Sequence, residues 1–318
     1  MPSTTSSQIK PPALRRGDSI GIVAPASNVK REDLEAGCAN LQRAGFRPFY
    51  FDSICDQDLY FAGSPQRRAR ELEEMFTRDD VRAIVCARGG YGSNYLLESV
   101  DGEKIKAHPK IFVGYSDLTT LLTYFADTLG LVTFHGPMVA KDWAHKDGVD
   151  LASWQAALGN SAPWEVDLHA ASGVRGLMEG EAEGSLYGGC LSILVASLGT
   201  PYEIRTSGSI LFLEDVGTKP YQVDRMLMQL KLAGKLDGVR GVIFGEMRDC
   251  VQPANQEYTL EEVVLRIVGP LRIPVAYGVP SGHVTANNIT LPIGVHTRLT
   301  VKGGNVNLMI LEGAVTAA

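Results

Sequence analysis

Short runs of consecutive apolar residues alternate with longer amphipathic stretches along the first half of the chain. The apolar runs occupy residues 19–24, 47–51, 81–86 and 111–115. Helical periodicity lies between them, over 33–44 and in a charged stretch that begins with Ser64 as N-cap and Pro65 at the first helical position. Strands that are apolar throughout and alternate with helices are typical of a parallel sheet covered on both faces. The pattern therefore predicts an N-terminal, doubly wound and mostly parallel α/β domain.

In the second half of the chain, apolar runs again alternate with amphipathic stretches, and near the C-terminus the pattern becomes one of short consecutive strands. Apolar strands are predicted over 210–213, 241–245 and 274–279, and helices over 222–232 and 260–271. Short antiparallel strands are predicted over 290–295, 297–301 and 306–311, with a turn at Gly303-Gly304. We therefore predict a second α/β domain with short antiparallel strands.

The stretch that separates the two halves has no clear apolar period. Residues from about 143 to 180 carry three tryptophans among small residues, and we interpret 146–180 as a linker region. The predicted division is an N-terminal domain over 14–145, this linker, and a C-terminal domain over 181–318.

Composition and charge narrow the class of protein. At 318 residues, of which 45% are hydrophobic and 21% charged, the chain is long enough for about two globular domains. It has 30 Lys and Arg against 36 Asp and Glu, a formal net charge of −6, which argues against a nucleic-acid partner. Neither a signal peptide nor a membrane span is predicted, and the five scattered cysteines form no C-x-x-C pair. We therefore expect a cytoplasmic protein with no nucleic-acid or membrane partner.

Ser116 lies where an apolar strand ends and a helix is predicted to begin. A serine on such a tight turn stands exposed, and the amide groups of the following helix face the atom that it attacks. Leu118 stands where the full nucleophile-elbow pattern has a second glycine. The alternative that Ser116 or Asp117 only caps the helix therefore stays open.

A glycine-rich segment, RGGYG at 88–92, follows the third predicted strand. Glycines there allow a ligand to approach the backbone closely and can present N–H groups to an anion. The segment matches neither the dinucleotide-binding nor the P-loop pattern, which argues against a nucleotide phosphate site. A strained turn that binds nothing is the alternative.

Further candidates lie at the ends of other predicted strands. Glu214 and Asp215 end an apolar strand, and because adjacent strand residues point to opposite faces, at most one of them should face a given site. His283 follows the last apolar strand and His135 an earlier one, although a structural role is the alternative for any lone histidine. Serine, carboxylate and histidine at three strand ends meet the requirements of a catalytic triad. No H-x-x-x-H or H-E-x-x-H motif is present, so no metal is expected.

In these segments the chain resembles the LD-carboxypeptidases, a family of serine peptidases. The matching segments, within about residues 14–311, are RGGYG at 88–92, VGYSDL at 113–118, LEDVG at 213–217, PYQVDR at 220–225 and Gly282-His283. The resemblance implies Ser116 as the nucleophile, His283 as the general base and Glu214 as the carboxylate that orients it. Thr218 departs from the family, whose members often carry an acidic residue at that position.

The resemblance also implies how the substrate is held. The backbone N–H groups of Gly90 and Asp117 are implied to form an oxyanion hole. Apart from the resemblance, Gly89, Arg88 and Tyr91 are candidate substrate contacts in the glycine-rich segment. Arg88, Lys219 and Arg225 are candidates to bind the substrate carboxylate, and a structural ion pair is the alternative for each of them. The implied activity is the removal of the terminal D-alanine from murein tetrapeptides or related muropeptides during cytoplasmic cell-wall recycling. It needs no cofactor or metal, and a homodimer is a candidate assembly.

Two other functions remain as alternatives. A microcin-C-immunity-type serine peptidase, which cleaves aminoacyl-nucleotide analogues, has the same fold, although the segment RGGY at 88–91 favours the cell-wall branch. A non-catalytic, two-lobed small-molecule-binding protein is the alternative from another class. A serine-directed probe separates that alternative from an enzyme, since a pure binding protein forms no adduct at Ser116.

Overall fold

The structure is a computed structural model that describes residues 8–168, 171, 173–251 and 255–317. The chain forms two compact units, each built from more than one segment. The first unit comprises Met1–Ser161, Ile289–Gly294 and Gly313–Ala318, and the second comprises Ala162–Asn288 and Val295–Glu312. The boundary between the units, after Ser161, lies inside the stretch predicted as a linker, which holds a helix and two strands. Two short C-terminal segments also belong to the first unit.

A six-stranded sheet forms the centre of the first unit in the described part of the chain. Its strands are β1 (Ser19–Val23), β2 (Arg47–Phe49), β3 (Ala83–Cys86), β4 (Ile111–Gly114), β5 (Thr133–His135) and β12 (Leu291–Ile293). The strand order is β12-β5-β4-β3-β1-β2, and every pairing is parallel except that of β12 with β5. β3 and β4 are buried along their whole length, as strands covered on both faces should be. The predicted doubly wound, mostly parallel fold is confirmed.

Helices connect the strands of this first sheet. They are α1 (Arg31–Arg43), α2 (Pro65–Thr77), α3 (Gly102–Ala107), α4 (Thr119–Tyr124) and α5 (Leu151–Gly159). The N-terminus of α2 is the predicted one: the Ser64 hydroxyl accepts a hydrogen bond from the Arg67 N–H, and Pro65 occupies the first turn. α5 lies within the stretch that lacked an apolar period, and Asp150 caps it by accepting from the Ser153 N–H at 2.7 Å.

The second unit contains a mixed sheet with a parallel centre. Its described strands are β6 (Trp164–Glu165), β7 (Arg175–Met178), β8 (Gly180–Cys190), β9 (Ser209–Glu214), β10 (Gly241–Gly245), β11 (Val275–Val279), β13 (His296–Lys302) and β14 (Asn305–Ile310). Their order is β6-β14-β13-β8-β9-β10-β11-β7. The four strands from β8 to β11 are parallel, while the flanking strands pair antiparallel. This is the predicted second α/β fold with short antiparallel strands.

The helices of the second unit and the C-terminal strands complete the fold. The helices are α6 (Leu191–Ala196), α7 (Pro220–Leu232) and α8 (Leu260–Val268). β13 and β14 form the predicted hairpin, with Gly303 and Gly304 at φ 57° and 78° in its turn. The strand predicted over 290–295 is shorter and pairs instead with β5 in the first unit. Within the described chain, no helix has the length and apolar character needed to cross a membrane.

Candidate active site

Ser116 occupies a sharp turn directly after the buried strand β4. Its φ of 63° lies in the left-handed region, which a residue with a Cβ adopts at a cost of about 1–3 kcal/mol and which is common at functional sites. A short 3-10 turn over Ser116–Leu118 leads into α4, and no side-chain cap is found at either of these helical starts. The capping alternative for Ser116 and Asp117 is therefore not supported, whereas the strained turn is typical of a nucleophile elbow.

The glycine segment that follows β3 lies against this turn. A Cβ placed on Gly89 would lie 2.9 Å from the Ser116 Cβ and 3.1 Å from its Oγ, so a side chain there would collide with the serine. Gly90 has a φ of 105°, and a Cβ there would lie 2.3 Å from the hydroxyl oxygen of Ser27. Both positions therefore require glycine.

Ser27 orients the peptide unit that joins the two glycines. Its N–H donates to the Gly89 carbonyl at 3.3 Å, and its hydroxyl accepts from the Tyr91 N–H at 3.1 Å. In a trans peptide unit the N–H points away from the preceding carbonyl, so the Gly90 N–H points away from Ser27. Among the described residues, no hydrogen bond engages the N–H of Gly90 or Asp117. These two groups are therefore available as donors to an oxyanion, the role that the family resemblance implies for them.

The side chain of Asp117 is buried and anchors the serine turn to the glycine segment. Its carboxylate accepts from the Ser93 N–H at 2.8 Å, and the Ser93 hydroxyl donates to the Asp117 carbonyl at 2.7 Å. Burial raises the pKa of the Asp117 carboxyl, although hydrogen bonds from Ser93 and Gly92 oppose this effect. From the sequence, Asp117 was a candidate for its backbone N–H and as a helix cap, and this anchor was missed.

A buried arginine, also missed, supports the same segment from α2. Arg68 is 2% exposed, and its guanidinium donates to the carbonyls of Gly63 at 3.0 Å and Gly92 at 2.8 Å, and to that of Pro25. It also lies over the Phe61 ring at 5.0 Å. The sequence carried one signal for this role, because Arg68 shares helical spacing with the apolar, buried face of α2.

In the second unit, Glu214 and His283 form a hydrogen-bonded pair at the carboxyl ends of parallel strands. Glu214 ends β9, is 1% exposed, and accepts through Oε2 from His283 Nδ1 at 2.7 Å and from the His283 N–H at 3.1 Å. Because an ionised carboxylate only accepts, this contact assigns the ring proton to Nδ1 and leaves the lone pair on Nε2. A histidine held in this way can act as a general base.

The neighbouring carboxylate of Asp215 has a different role. It accepts from the N–H groups of Ser192 at 2.8 Å and Val216 at 2.9 Å, and from the Thr218 hydroxyl at 3.0 Å. This agrees with the expectation that only one of the two adjacent carboxylates faces a given site. Thr218, the departure from the family pattern, thus holds the turn after β9.

Three other residues selected from the sequence lie in the first unit. Arg88 donates to the Asn28 carbonyl at 3.3 Å, and Tyr91 is 42% exposed beside the glycine segment. His135 is fully buried at the end of β5, with its ring 5.9 Å from that of Tyr115.

The chain matches two family models, which describe the LD-carboxypeptidase N-terminal domain over residues 20–136 and the LD-carboxypeptidase C-terminal domain over residues 183–299. The chain belongs to the LD-carboxypeptidase family. Ser116 lies in the part matched by the N-terminal model, and Glu214 and His283 lie in the part matched by the C-terminal model. As a member of this serine peptidase family, the protein is a peptide hydrolase, which removes the non-catalytic alternative.

Named relatives and solved structures agree with membership of the LD-carboxypeptidase family. A probable murein peptide carboxypeptidase of Bacillus subtilis is 37% identical over 99% of both chains. The crystal structure of muramoyltetrapeptide carboxypeptidase from Oxalobacter formigenes is similar with a TM-score of 0.81 and 30% identity, covering 94% of this chain and all of that one. The microcin C7 self-immunity protein MccF in complex with glutamyl sulfamoyl guanosine is similar with a TM-score of 0.89 and 26% identity, covering 96% and 99%.

Proposed function

We propose that the protein is an LD-carboxypeptidase that removes the terminal D-alanine from murein tetrapeptides, in the cytoplasm, during cell-wall recycling. The observation that carries this proposal is the pair formed by Glu214 and His283. A buried carboxylate that accepts from both the ring and the backbone of one histidine fixes the tautomer that a serine peptidase needs. The murein peptide and muramoyltetrapeptide carboxypeptidases among its relatives support the substrate class.

In the proposed first step, Ser116, His283 and Glu214 act as a catalytic triad. Nε2 of His283 takes the proton from Ser116 Oγ as that oxygen attacks the carbonyl carbon of the scissile bond. The carbonyl electron pair moves to oxygen, and the N–H groups of Gly90 and Asp117 stabilise the resulting oxyanion. The Glu214 carboxylate stabilises the imidazolium that forms.

The intermediate then collapses and releases the terminal residue. The C–N bond breaks, His283 returns its proton to the leaving nitrogen, and D-alanine departs, which leaves the tripeptide as an ester on Ser116. Water attacks this ester with His283 again as the base, so that the tripeptide is released and the serine is regenerated.

The test is incubation with L-Ala-D-Glu-meso-diaminopimelate-D-Ala, with mass spectrometry to detect the loss of one alanine. Ser116→Ala is the matched control.

The tetrapeptide amide should react at least ~100-fold more slowly, a loss of about 2.7 kcal/mol in transition-state binding, because a pocket built for the free carboxylate is left with unpaired polar groups. An L-Ala terminus should fail because carboxylate and methyl cannot both reach their sites while the carbonyl lies over Ser116. Equal cleavage of all three peptides would discard the carboxypeptidase proposal.

A second candidate is a peptidase of the microcin-immunity type. The similarity to MccF bound to glutamyl sulfamoyl guanosine supports this activity. Comparing kcat/KM for that nucleoside analogue with kcat/KM for the tetrapeptide separates the two candidates. Faster cleavage of the analogue would favour a microcin-immunity-type function over the carboxypeptidase function.

The substrate contacts and the assembly are also proposals. We propose that Gly89, Arg88 and Tyr91 contact a tetrapeptide or related muropeptide, because they surround the proposed oxyanion donor Gly90. The KM for the tetrapeptide should therefore rise in Tyr91→Ala. A homodimer is proposed as the assembly, and light scattering measures its mass.

A further inference from the structure

A third side chain lies beside the Glu214–His283 pair and takes no part in the proposed peptidase reaction. Cys190 ends β8, and its backbone is in register with Glu214 at the end of the neighbouring parallel strand β9. One donor atom from each of Cys190, Glu214 and His283 lies within 4.8 Å of the other two. Cys190 and Glu214 are buried, at 4% and 1% exposure.

These three side chains form a donor set that suits a thiophilic divalent cation. Thiolate, imidazole and carboxylate are the protein ligands of zinc, and three of them with one open position form a common tetrahedral arrangement. Bonds of about 2.0–2.3 Å to such an ion bring the donor atoms to roughly 3.5 Å from one another. The Nδ1–Oε2 contact of 2.7 Å must therefore open, and donor atoms that lie up to 4.8 Å apart must approach, each by roughly 1 Å.

The electrostatic surroundings also favour a cation. Burial, together with the charges of Glu214 and Asp215, raises the pKa of the Cys190 thiol well above its ordinary value. The thiol is therefore a weak nucleophile in the metal-free protein, which argues against a redox or alkylation role. A divalent ion reverses the situation, because it is attracted to the same carboxylates and displaces the thiol proton.

We propose that Cys190, Glu214 and His283 form a binding site for a thiophilic divalent cation such as Zn²⁺ or Cd²⁺, and that its occupancy switches the histidine off as a base. With the ion on Nδ1, the neutral ring carries its proton on Nε2, so the lone pair that would accept the serine proton is lost. The thiol proton goes to solvent. Binding stands independently of the peptidase activity, whereas the inhibition rests on the proposed function.

Binding is tested first, without any substrate. Cd²⁺ is titrated into the metal-free full-length protein while the ultraviolet thiolate-to-cadmium absorption is followed, and Zn²⁺ affinity is measured by calorimetry. One equivalent should bind to the wild type, and Cys190→Ala should weaken affinity at least about tenfold, since even outer-shell changes have effects of that size. Cys250→Ala is the matched control, because Cys250 is another buried thiol of the second unit with a pKa raised to about 11. Equal affinity in the wild type and Cys190→Ala would overturn the proposal.

Two further arms cover misfolding and the dependence on activity. If Cys190→Ala does not fold, the variants Cys190→Ser and His283→Gln are titrated in its place. Wild-type affinity for the metal ion in both variants would overturn the proposed site. In hydrolysis assays, Zn²⁺ should inhibit the wild type and EDTA should restore the rate, while Cys190→Ser should need at least about tenfold more Zn²⁺ for the same fractional inhibition. A cadmium signal without any tetrapeptide cleavage contradicts only the proposed function. Tetrapeptide cleavage without a Cys190-dependent signal contradicts only the metal site.

Discussion

The geometry of the serine turn in the first unit depends on the backbone, whereas that of the Glu214–His283 pair in the second unit depends on side chains. Around Ser116 the geometry resides in the backbone: a left-handed serine, two glycines that leave no room for a Cβ, and two N–H groups without a partner among the described residues. In the second unit it resides in side chains, where one carboxylate oxygen holds a ring and a backbone N–H. We therefore expect substitutions that add atoms to damage the serine turn, and substitutions that remove side-chain atoms to damage the Glu214–His283 pair.

The largest effect should come from the two side chains between which the proposed mechanism transfers a proton. We expect Ser116→Ala and His283→Ala each to lower kcat by up to about 10⁶-fold, with the double variant hardly slower, because residues that act as one unit give non-additive losses. The measurement is kcat for the tetrapeptide, with circular dichroism to verify folding. Near-wild-type turnover of His283→Ala would falsify the proposed mechanism.

The carboxylate of the pair should matter somewhat less. Glu214→Ala should lower kcat by on the order of 10⁴-fold, because the histidine loses its tautomer and its counter-charge. Glu214→Asp keeps the charge with a shorter reach and should lose less. The measurement is kcat for these two variants, and equal losses would show that a carboxylate of shorter reach restores nothing.

Adding one carbon should damage the serine turn. Gly89→Ala brings a Cβ to 2.9 Å from the Ser116 Cβ and 3.3 Å from the Asp117 nitrogen, so the serine or an oxyanion donor must move. We expect kcat to fall about 10²-fold, the usual effect of losing one oxyanion donor. Gly173→Ala, where a Cβ meets nothing within 4 Å, is the control. Equal kcat in both variants would show that the close approach of Gly89 is unimportant.

The smallest effect concerns stability and the buried Asp117. The pKa of Asp117 is raised above the ordinary 3.8, so the folded state holds this proton more tightly than the unfolded state does. The free energy of unfolding therefore contains a contribution from this proton, which is lost as the pH rises through the raised pKa. Asp117→Asn cannot titrate and should lack this loss. Urea unfolding from about pH 4 to pH 7 measures the difference. Parallel pH profiles for wild type and variant would exclude this contribution.

The sequence predicted the two α/β units because β3, β4, β10, β11 and the interior of β9 consist of apolar residues and glycine, a local signal that persists in the fold. It also predicted Ser116, Glu214 and His283, since each lies at or just after the end of such a strand. Whether these three act together stays a prediction.

Other contacts depend on tertiary structure and leave little trace in the sequence. The hydrogen bond from Ser93 to Asp117 links residues that are 24 positions apart in the sequence. Cys190 lies beside Glu214 only because the two residues are in register on neighbouring strands. The strand β12 was predicted, but its pairing with β5 was not, because an apolar run of three residues does not specify which edge it joins.

That pairing of β12 with β5 has a consequence for synthesis on the ribosome. β5 is translated before the middle of the chain, but the strand that covers its edge is translated roughly 150 residues later, so the first sheet keeps an open edge during about half of elongation. At about 5–20 residues per second, this edge stays uncovered for roughly ten to thirty seconds. Nascent chains stalled before Leu291 should therefore bind chaperones that recognise extended segments, and release should follow once the C-terminal segment has left the ribosome.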